Sequence, residues 1–445
     1  MAIQSPYKKE HTMYKHLLKL IQSKKSKVCV LGLGYVGLPI AVEFAKKGFF
    51  VYGFDTKRSR IEKLQKGISY IDDISNKHIK AVIGKFHPTH DVKVLSEADV
   101  IIICVPTPLR INKAPDMSFI LKATCSVADH LRPGQLIILE STTYPGTTRD
   151  IMLPVFKRKG LVPEKDFFLA FSPERIDPGN KKCHFTKIPK ITGGTGIFSS
   201  KLTVVLYSKV IDKVVQVSSA ESAEMVKLLE NTFRNVNIGL VNEFAMLCDK
   251  LNIDIWEVIE AAKTKPFGFM PFYPGPGIGG HCLPCDPLYL SWKAKKIGFK
   301  TSMINLASKI NFLMPGYVIE RAKRILHKRK SGLKGARVLV LGVTYKRDIK
   351  DLRESPALNV IEILQNEKAK ISYSDPLIPY LDINGINLKS TEINQANLKK
   401  QDLIILITDH TKFKYSFIAK HSRLIFDTRN AFFTHNVKSA NIVKL

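Results

Sequence analysis

The stretch KVCVLGLGYVGLPIAVEFAKKGFFVYGFDT, residues 27–56, decides the fold of the first part of the chain. Its apolar run 28–33 has the length of a buried parallel strand; a glycine turn, a helix and a second strand ending at Asp55 follow. Gly32, Gly34 and Gly37 fit the spacing GxGxxG, and Asp55 lies 23 residues after Gly32. This order of strand, turn, helix and strand predicts a doubly wound α/β domain.

Each part of this motif has a separate task in binding a dinucleotide. Gly32 permits the tight turn, Gly34 lets the backbone approach a pyrophosphate, and Gly37 lets the helix pack on the strand. The free N–H groups and the positive dipole at the helix N-terminus attract the phosphates. A purely structural glycine turn is the alternative. The flanking strands favour a dinucleotide, and Asp55, as an acceptor for the adenosine ribose, favours NAD over NADP.

Two further apolar runs read as parallel strands of the same domain. They are ADVIIICVPTP (98–108) and QLIILESTTYPGTT (135–148). Both end in proline and small polar residues, at the position where open α/β sheets present their ligand sites. We therefore expect the ligand site of the first domain at the carboxyl ends of its strands.

The last part of the chain repeats the pattern of the first. ARVLVLGVTYK (336–346) parallels SKVCVLGLGYV (26–36), and the segments KISYSDP, QDLIILITDH and RLIFDTRN supply three more strands. The repeat predicts a second doubly wound domain. Because only Gly342 remains of its glycine turn, we expect this domain to hold the nucleotide of a substrate instead of a dinucleotide.

Long apolar periodicity near 3.6 residues predicts helices between these domains, with a glycine- and proline-rich loop over 266–287 and an interruption at Pro315-Gly316. The predicted fold is α/β, with two Rossmann-like doubly wound domains joined by a helical central region. The predicted boundaries are an N-terminal extension (1–26), an NAD-binding domain (27–204), a central helical domain (205–328) and a C-terminal substrate domain (329–445).

Composition narrows the class of protein. With 69 Lys and Arg against 39 Asp and Glu, the formal net charge is +30, which would suit a polyanion. The excess is spread along the chain without a nucleic-acid motif, so we expect no nucleic-acid partner. No stretch reaches membrane-span or signal-peptide length, and seven scattered cysteines do not form a disulfide framework. A cytoplasmic protein without a membrane partner is expected.

The segment PGPGIGGHCLPCDP, residues 274–287, contains the pair Cys282 and Cys285. A redox switch, half of a zinc site, and one nucleophile with a bystander are the three interpretations. Zinc would need a second ligand pair of suitable spacing, which the sequence lacks, so no metal is expected. A thioredoxin-type motif starts a helix after a strand, whereas this one is predicted to lie in a loop.

Several long motifs together resemble one enzyme family, the UDP-glucose/GDP-mannose dehydrogenases. They are GLGYVGLP, PTP, ESTTYPGTT, FSPERIDPGN, EMVKLLENTFRNVNIGLVNE, PGPGIGGHCLPCDP, YKRDIKDLRESPAL and FDTRN, in order between about residues 27 and 430. The resemblance implies oxidation of the C6 alcohol of a UDP-sugar to a carboxylate, with two NAD+ and one active-site cysteine. It also implies a homo-oligomer. A related hydroxy-acid dehydrogenase, which performs one oxidation without a cysteine, is the alternative enzyme.

The resemblance also assigns roles to residues. Cys282 would be the nucleophile that forms a thiohemiacetal and then a thioester, and Lys227 and Asn231, four apart on one helix face, would stabilise the C6 oxyanion. Glu174 and Asp286 would act with water, and Thr142 would lie near both cofactor and water. The implied cofactor-binding residues are Gly32, Gly34, Tyr35, Val36, Gly37, Asp55, Arg60, Pro106, Thr107, Ser141, Thr142 and Arg353. The implied substrate-binding residues are Glu174, Arg175, Lys227, Asn231, Phe272, Tyr273, Gly279, Tyr345, Lys346 and Arg429.

One departure concerns the sugar. UDP-glucose enzymes often have a second glutamate four positions after the first, and this chain has Pro178 there. Together with KPFGFMPFYPGPGIGGHC, this version is more similar to members that act on N-acetylated UDP-hexosamines. The resemblance therefore favours UDP-N-acetyl-glucosamine and surface-polysaccharide synthesis, with UDP-glucose and UDP-N-acetyl-galactosamine as alternatives.

Overall fold

The computed structural model describes residues 7–71, 73–110, 114–175, 185–328, 332–383 and 385–445. The chain divides into two compact units, residues 1–230 and 231–445, each built around a sheet that is wholly or mostly parallel. The predicted α/β class with two Rossmann-like sheets is confirmed.

The first unit contains an eight-stranded sheet in the order β3-β2-β1-β4-β5-β6-β7-β8. Its first six strands have the order 3-2-1-4-5-6 of a dinucleotide-binding domain. All neighbouring strands are parallel except β6 and β7. The strands are β1 (Lys27–Leu31), β2 (Phe50–Phe54), β3 (Phe86–Thr89), β4 (Val100–Ile103), β5 (Gln135–Leu139), β6 (Phe167–Phe171), β7 (Lys190–Gly194) and β8 (Val214–Gln216).

The sequence of the central strands explains their position. In β4, β5 and β6 every residue is buried, which fits strands covered on both faces by helices. The helices of this part are α1 (Tyr7–Gln22), α2 (Gly37–Lys46), α3 (Arg58–Gln65), α4 (Asn76–Lys80), α5 (Val94–Glu97), α6 (Ser118–Asp129), α7 (Leu153–Lys157) and α8 (Ile197–Tyr207). A π-helical turn covers Thr147–Met152, and a 3₁₀ turn covers Phe185–Lys187.

The N-terminal extension contributes to the first unit. Helix α1 buries Leu17 and Ile21 in the main core of this unit, and the Tyr14 ring lies 4.7 Å from that of Phe198 on α8. Helix α1 is thus packed into the domain that follows it.

The second unit contains a five-stranded parallel sheet in the order β10-β9-β13-β14-β15. This is the 2-1-3-4-5 order of the other common doubly wound fold. The four predicted strands are present, and β15 and a separate β11–β12 hairpin are additional. The strands are β9 (Arg337–Leu341), β10 (Lys370–Ser374), β11 (Tyr380–Ile383), β12 (Ile386–Lys389), β13 (Leu403–Leu406), β14 (Ile425–Asp427) and β15 (Ile442–Lys444).

Helix α9 (Ala220–Leu251) begins in the first unit and ends in the second. The other helices are α10 (Ile255–Ala262), α11 (Cys282–Lys296), α12 (Ser302–His327), α13 (Pro356–Asn366), α14 (Gln395–Lys399), α15 (Tyr415–His421) and α16 (Ala431–Thr434). The region 205–328, predicted to be helical, contains strand β8 before α9 begins. No helix in the described ranges is both long and apolar enough to cross a membrane.

Two predictions about proline were wrong. The predicted loop over 266–287 ends at His281, since α11 begins at Cys282, and Pro284 lies in its first turn, where an N–H has no helical partner anyway. Pro287 removes the bond to the carbonyl of Leu283, and the side-chain amide of Asn235 donates to that carbonyl instead, at 3.2 Å. Helix α12 likewise continues through Pro315.

Candidate active site

The glycine turn after β1 has the geometry that a dinucleotide requires. Gly32 has a φ of +96°, and a Cβ there would lie 2.6 Å from the carbonyl oxygen of Cys104. A Cβ on Gly37 would lie 1.9 Å from the carbonyl oxygen of Gly32, so α2 packs directly on the turn. A Cβ on Gly34 would meet nothing within 4 Å, so the backbone is open to a ligand at that residue. Half-exposed Tyr35 and partly buried Val36 complete the turn.

Asp55 follows β2 and is held by the protein on both carboxylate oxygens. Oδ2 accepts from the backbone N of Leu33 and from Nη1 of Arg60, each at 3.0 Å, and Oδ1 accepts from the backbone N of Lys57 at 2.8 Å. A carboxylate offers about four lone-pair sites, so one direction stays available for a ribose hydroxyl. The guanidinium of Arg60 also lies 5.4 Å from the ring centre of Tyr70.

The ends of β4 and β5 place the other predicted cofactor residues at the same edge of the sheet. Pro106 is exposed and Thr107 is buried after β4. After β5, the Ser141 backbone N donates to the carbonyl of Ile103 at 3.3 Å, and Thr142 is partly buried. These positions fit NAD at the crossover of a doubly wound sheet.

Glu224, which the sequence analysis missed, supports this edge from helix α9. Its carboxylate accepts from the backbone N of Gly146 at 2.6 Å and of Thr148 at 2.9 Å. Burial raises the pKa of Glu224 to about 7, against the lowering effect of these bonds. In sequence it is one acid among several on a long helix, so no signal distinguished it.

Glu174 lies beyond β6 and faces a buried lysine. Its Oε2 accepts from Nζ of Lys190 at 3.1 Å, and its Oε1 accepts from the backbone N of Arg175 at 2.6 Å. The Arg175 side chain pairs with Glu230 at 2.5 Å and donates to the carbonyl of Pro189 at 2.7 Å. Arg175 is therefore already occupied by protein groups. The sugar-related position Pro178 lies outside the described residues.

Cys282 is the first residue of α11 and is exposed. The positive end of the helix dipole favours a negative charge at this position. Cys285 is buried one turn later, and burial first, with Asp286 nearby, raises its pKa to about 12. The pair thus starts a helix, as in thioredoxin, although no strand leads into it. Its two members differ: one thiol is accessible, and the other stays protonated near neutral pH.

Helix α9 carries the predicted pair Lys227 and Asn231 on successive turns, and both are largely buried. Asn231 Nδ2 donates to Oδ2 of Asp286 at 2.5 Å, which joins α9 to α11 close to its start. Lys227 belongs to the first unit, and Asn231 with Cys282 and Asp286 belongs to the second.

Two asparagines that the sequence analysis missed continue this row. Asn235 holds the carbonyl of Leu283, and Asn242 Oδ1 accepts from the backbone N of Gly275 at 3.0 Å. Their signal in the sequence is the recurrence of asparagine at spacings of four and seven residues along α9.

The loop before Cys282 packs against Tyr345, which lies in the loop after β9. A Cβ on Gly279 would lie 2.6 Å from Cβ of Tyr345, and one on Gly280 would lie 2.7 Å from its ring. Within the loop, the Phe272 ring lies 5.7 Å from that of Phe233, and the Tyr273 hydroxyl donates to Glu260 at 2.8 Å. The glycines are therefore required by the tyrosine as well as by any ligand.

Two arginines lie near each other at the carboxyl edge of the second sheet. Burial first, and Arg347 nearby second, lower the pKa of Arg429 to about 10, so its guanidinium stays charged at neutral pH. Its Nε donates to the carbonyl of Ile407 at 2.9 Å, and a Cβ on Gly275 would lie 2.6 Å from its Nη1. Arg347, which the sequence analysis missed, pairs with Asp409. Two neighbouring guanidinium groups suit a diphosphate.

Lys346 and Arg353 border this site. The Thr344 hydroxyl donates to the carbonyl of Lys346 at 3.0 Å, and Arg353 binds the carboxylate of Asp351 at 2.6 Å. Burial first, and the charge of Arg353 second, lower the pKa of His281, the residue before Cys282. Arg353 belongs to the second unit, with His281 and Asp351, and its role as a cofactor or active-site contact stays a prediction.

Comparison with known proteins gives a consistent result along the chain. Models of the UDP-glucose/GDP-mannose dehydrogenase family match in order: the NAD binding domain over residues 26–211, the central domain over 221–312 and the UDP binding domain over 339–434. The match confirms the resemblance and the NAD cofactor.

Individual relatives cover nearly the whole chain. The UDP-N-acetyl-D-glucosamine 6-dehydrogenase of Pseudomonas aeruginosa is 37% identical over 396 residues, 88% of this chain and 92% of its own. The UDP-N-acetyl-D-mannosamine dehydrogenase of Pyrococcus horikoshii is 36% identical over 412 residues, 91% of this chain and 95% of its own. A solved UDP-D-ManNAc dehydrogenase structure from that organism matches with a TM-score of 0.84 at 33% identity, covering 94% of this chain and 98% of its own.

Proposed function

This chain belongs to the UDP-glucose/GDP-mannose dehydrogenase family, and we propose that it converts the C6 alcohol of a UDP-N-acetylhexosamine, UDP-N-acetyl-glucosamine above all, to the uronic acid. The coarser activity, that of an NAD-dependent UDP-sugar dehydrogenase, follows from the family. The observation that carries oxidation to the acid is Cys282, an exposed thiol at the start of a helix whose Asp286 is fixed by Asn231. The choice of sugar is supported by the glucosamine relative of 37% identity.

Bound NAD+ would supply the hydride acceptor, and two transfers take an alcohol to the oxidation level of a carboxylate. The glycine turn fits this cofactor, because a Cβ on Gly34 would meet nothing within 4 Å and Asp55 keeps one acceptor direction. These residues bind and orient the dinucleotide, and Thr107 and Ser141 border its path.

Cys282 holds the intermediate between the two oxidations. Its Sγ forms a bond to C6 of the aldehyde, while the carbonyl electron pair moves to oxygen, which takes a proton. Loss of a hydride from C6 and of that proton leaves a thioester. Water then adds to the acyl carbon, the C–S bond breaks with its electron pair on Sγ, and the carboxylate is released.

The remaining residues act on oxygen and on water in this scheme. Lys227 and Asn231 stabilise the negative charge that develops on the C6 oxygen, and Asp286 orients Asn231. Glu174 takes a proton from the attacking water. On the substrate side, Arg347 and Arg429 bind the diphosphate, with Tyr345 and Lys346 beside the nucleotide.

A UDP-N-acetyl-mannosamine dehydrogenase is the second candidate. It is supported by a relative of 36% identity, close to the 37% of the glucosamine relative, and by a solved structure with a TM-score of 0.84. The two sugars differ in configuration at C2 alone. A panel of UDP-glucose and the UDP-N-acetyl derivatives of glucosamine, galactosamine and mannosamine, assayed for NADH, therefore decides the substrate.

The test of the mechanism compares two cysteine variants. Cys282→Ser should lose net acid formation, because a serine hydroxyl is a much weaker nucleophile than a thiolate and does not form the covalent intermediate. The matched control Cys285→Val should keep at least about half of the rate. The unmodified enzyme should release two NADH for each UDP-sugar consumed. Acid formation by Cys282→Ser at the normal rate, or one NADH per sugar, would exclude the thioester route.

We also propose a homo-oligomer that pairs through the second unit. Exposed apolar side chains recur on α9 at Leu240, Phe244, Leu247 and Leu251, and 72% of Phe312 on α12 is exposed. Such a stripe at helical spacing fits a second copy of the chain. Light scattering should show an assembly that Phe244→Glu dissociates, and a monomeric unmodified chain would refute it.

A cytoplasmic role in supplying polysaccharide precursors is proposed as well. The free cysteines in the described ranges, such as Cys29, Cys104 and Cys248, favour a reducing compartment. Loss of the uronic acid from surface polysaccharide in a deletion strain would test the pathway.

A further inference from the structure

A buried lysine joins two carboxylates at the carboxyl edge of the first sheet. Nζ of Lys190 lies 2.8 Å from Oε2 of Glu140 and 3.1 Å from Oε2 of Glu174. The Tyr207 hydroxyl donates to the other oxygen of Glu140, and the ammonium lies 5.2 Å from the centre of its ring. All four residues are at least 93% buried.

Sheet topology explains how these residues meet. Strand β7 is antiparallel to β6, with Phe171 opposite Gly193 and Ala170 opposite Gly194. Extending this register by three residues places Glu174, beyond the end of β6, opposite Lys190, at the start of β7. Glu140 follows the neighbouring strand β5, directly before Ser141 and Thr142. The one antiparallel pair in the described sheet thus brings a lysine to the edge where ligands bind.

The charges in this cluster do not cancel. Burial lowers the pKa of Lys190, but Glu140 and Glu174 raise it more, so the ammonium stays charged. Burial raises the pKa of Glu140 to about 7, despite Lys190. Burial, with Glu140 and Glu174 nearby, also keeps the Cys104 thiol and the Tyr207 phenol protonated, since both have raised pKa values. Glu140 is therefore the member of the cluster that changes charge near neutral pH.

An ion cluster of this kind is a poor device for stability alone. Desolvation of buried charges often outweighs their attraction, and apolar side chains of similar volume are often as stable. Charged groups shifted by burial and by one another cluster at functional sites. Glu174, the carboxylate that is proposed to take a proton from water, belongs to this cluster.

We propose that Lys190 and Glu140 are positioning residues for Glu174, which they hold oriented as the base that activates water for thioester hydrolysis. The inference rests on the proposed function. Lys190 fixes one oxygen of Glu174, and the backbone N of Arg175 fixes the other. Because Glu140 pairs with the same ammonium, its charge determines how strongly Lys190 binds Glu174. The hydride transfers do not depend on the cluster, so its loss affects the last step.

The test uses Lys190→Met and Glu140→Gln, with Lys187→Met as the matched control. Lys187 has an exposed ion pair with Asp212 at 2.8 Å and lies three residues from Lys190. Lys190→Met should lower kcat by about tenfold or more with both KM values within about threefold, and the thioester on Cys282 should accumulate in intact-mass spectra. Lys190→Arg should recover part of the rate. The control should match the unmodified enzyme.

Glu140→Gln keeps the shape of the side chain and leaves Glu174 as the only carboxylate of the cluster that pairs with Lys190. This variant therefore tests the positioning role even if Lys190→Met does not fold. The inflection near pH 7 in its pH–rate profile should disappear, because Glu140, whose pKa burial raises to about 7, no longer titrates beside Glu174. The charged and titratable groups whose charges act on Glu174 within the cluster are Lys190, Glu140, Tyr207 and Cys104. A purely structural cluster would change stability and leave the profile in place.

The outcomes separate this inference from the function on which it rests. An unmodified enzyme that releases fewer than two NADH per UDP-sugar would overturn both. An active unmodified enzyme whose Glu140→Gln profile superposes on its own would overturn the positioning role alone. So would a folded Lys190→Met variant with the kcat of Lys187→Met.

Discussion

The two doubly wound domains share one glycine and differ in almost everything around it. Gly32 and Gly342 both follow the first strand of their sheet, with φ values of +96° and +77°. A Cβ would lie 2.6 Å from the carbonyl oxygen of Cys104 in the first case and 2.1 Å from that of Thr408 in the second. Both glycines are therefore required by the neighbouring strand, whether or not a dinucleotide binds.

The later positions of the turn separate the two domains. Two residues on, the first has Gly34 in open space, and the second has Thr344, whose hydroxyl contacts Nε2 of His410 at 3.1 Å. At the third glycine position the second domain has Arg347. The first glycine of the fingerprint thus serves the fold, and the second serves the ligand.

The acids after the second strands differ in the same way. Oδ2 of each acid accepts from a backbone N, that of Leu33 for Asp55 and that of Val343, at 2.7 Å, for Asp375. Its side-chain partner is partly exposed Arg60 in the first domain and buried His410, at 3.0 Å, in the second. Oδ1 of Asp375 accepts from the backbone N of Leu377 at 2.8 Å. An acid that could meet a ribose in one domain is a core hydrogen-bond acceptor in the other.

The largest expected effect is that of Gly342→Ala on stability. The positive φ and the overlap with the Thr408 carbonyl should lower the free energy of unfolding by about 3 kcal/mol. Urea titration followed by circular dichroism measures this, with Gly34→Ala as the control, which should stay within about 0.5 kcal/mol. If both variants unfold at the same urea concentration, the shared glycine is not structural.

Gly34→Val should give the opposite result, with stability kept and cofactor lost. Since the side chain would point into the space where the backbone meets the pyrophosphate, the Kd for NAD should rise about 30-fold, or about 2 kcal/mol. Calorimetric titration of NAD tests this. Thr344→Ser in the second domain is the matched control, and it should bind NAD as the unmodified chain does. An unchanged affinity in Gly34→Val would move the cofactor away from this turn.

The paired acids provide a smaller effect. Asp55→Ala should raise the KM for NAD about tenfold, the value of a hydrogen bond to a charged group, with little change in the KM for the UDP-sugar. Asp375→Asn should leave the KM for NAD in place. Equal changes in both KM values for Asp55→Ala would contradict the ribose role.

Much of this contrast was predictable, because it is written in local spacing. The strand and turn of residues 27–56, the echo at 336–346 and the missing glycines at 344 and 347 all appear in the sequence, and the sheets followed them. Prolines misled the prediction around Cys282 and Pro315. A proline is compatible with a helix when its lost bond lies in the first turn or is replaced by another donor, and the donor, Asn235, lies far away in sequence.

The residues that were missed depend on pairings across the sheet. Lys190 meets Glu174 only because β7 reverses direction, and Glu224 caps a turn 78 residues earlier. The contacts of His410 with Asp375 and of Arg347 with Asp409 likewise depend on which strands are neighbours in the second sheet. Contacts of this kind join residues that are far apart in sequence, so they produce no recognisable spacing in a single sequence. A comparison of motifs therefore finds the residues of the family motifs and misses the residues that position them.

The smallest expected effect is a difference in pH response. Burial raises the pKa of Asp375, but the hydrogen bond and charge of His410 and two backbone N–H groups lower it more, so the folded pKa lies below the usual value. Its carboxylate therefore stabilises the second domain above about pH 4, and this contribution disappears as the pH falls through the folded pKa.

Glu224 in the first domain has the opposite sign: with a folded pKa of about 7, its contribution is lost as the pH rises from about 4.5 to 7. In urea titrations, Asp375→Asn should flatten the acid limb by at most about 1.4 kcal/mol per pH unit, and Glu224→Gln should flatten the slope toward neutrality. The two domains would then differ in charge response as well as in ligand, whereas identical slopes in both variants would show that neither acid is coupled to folding as its contacts indicate.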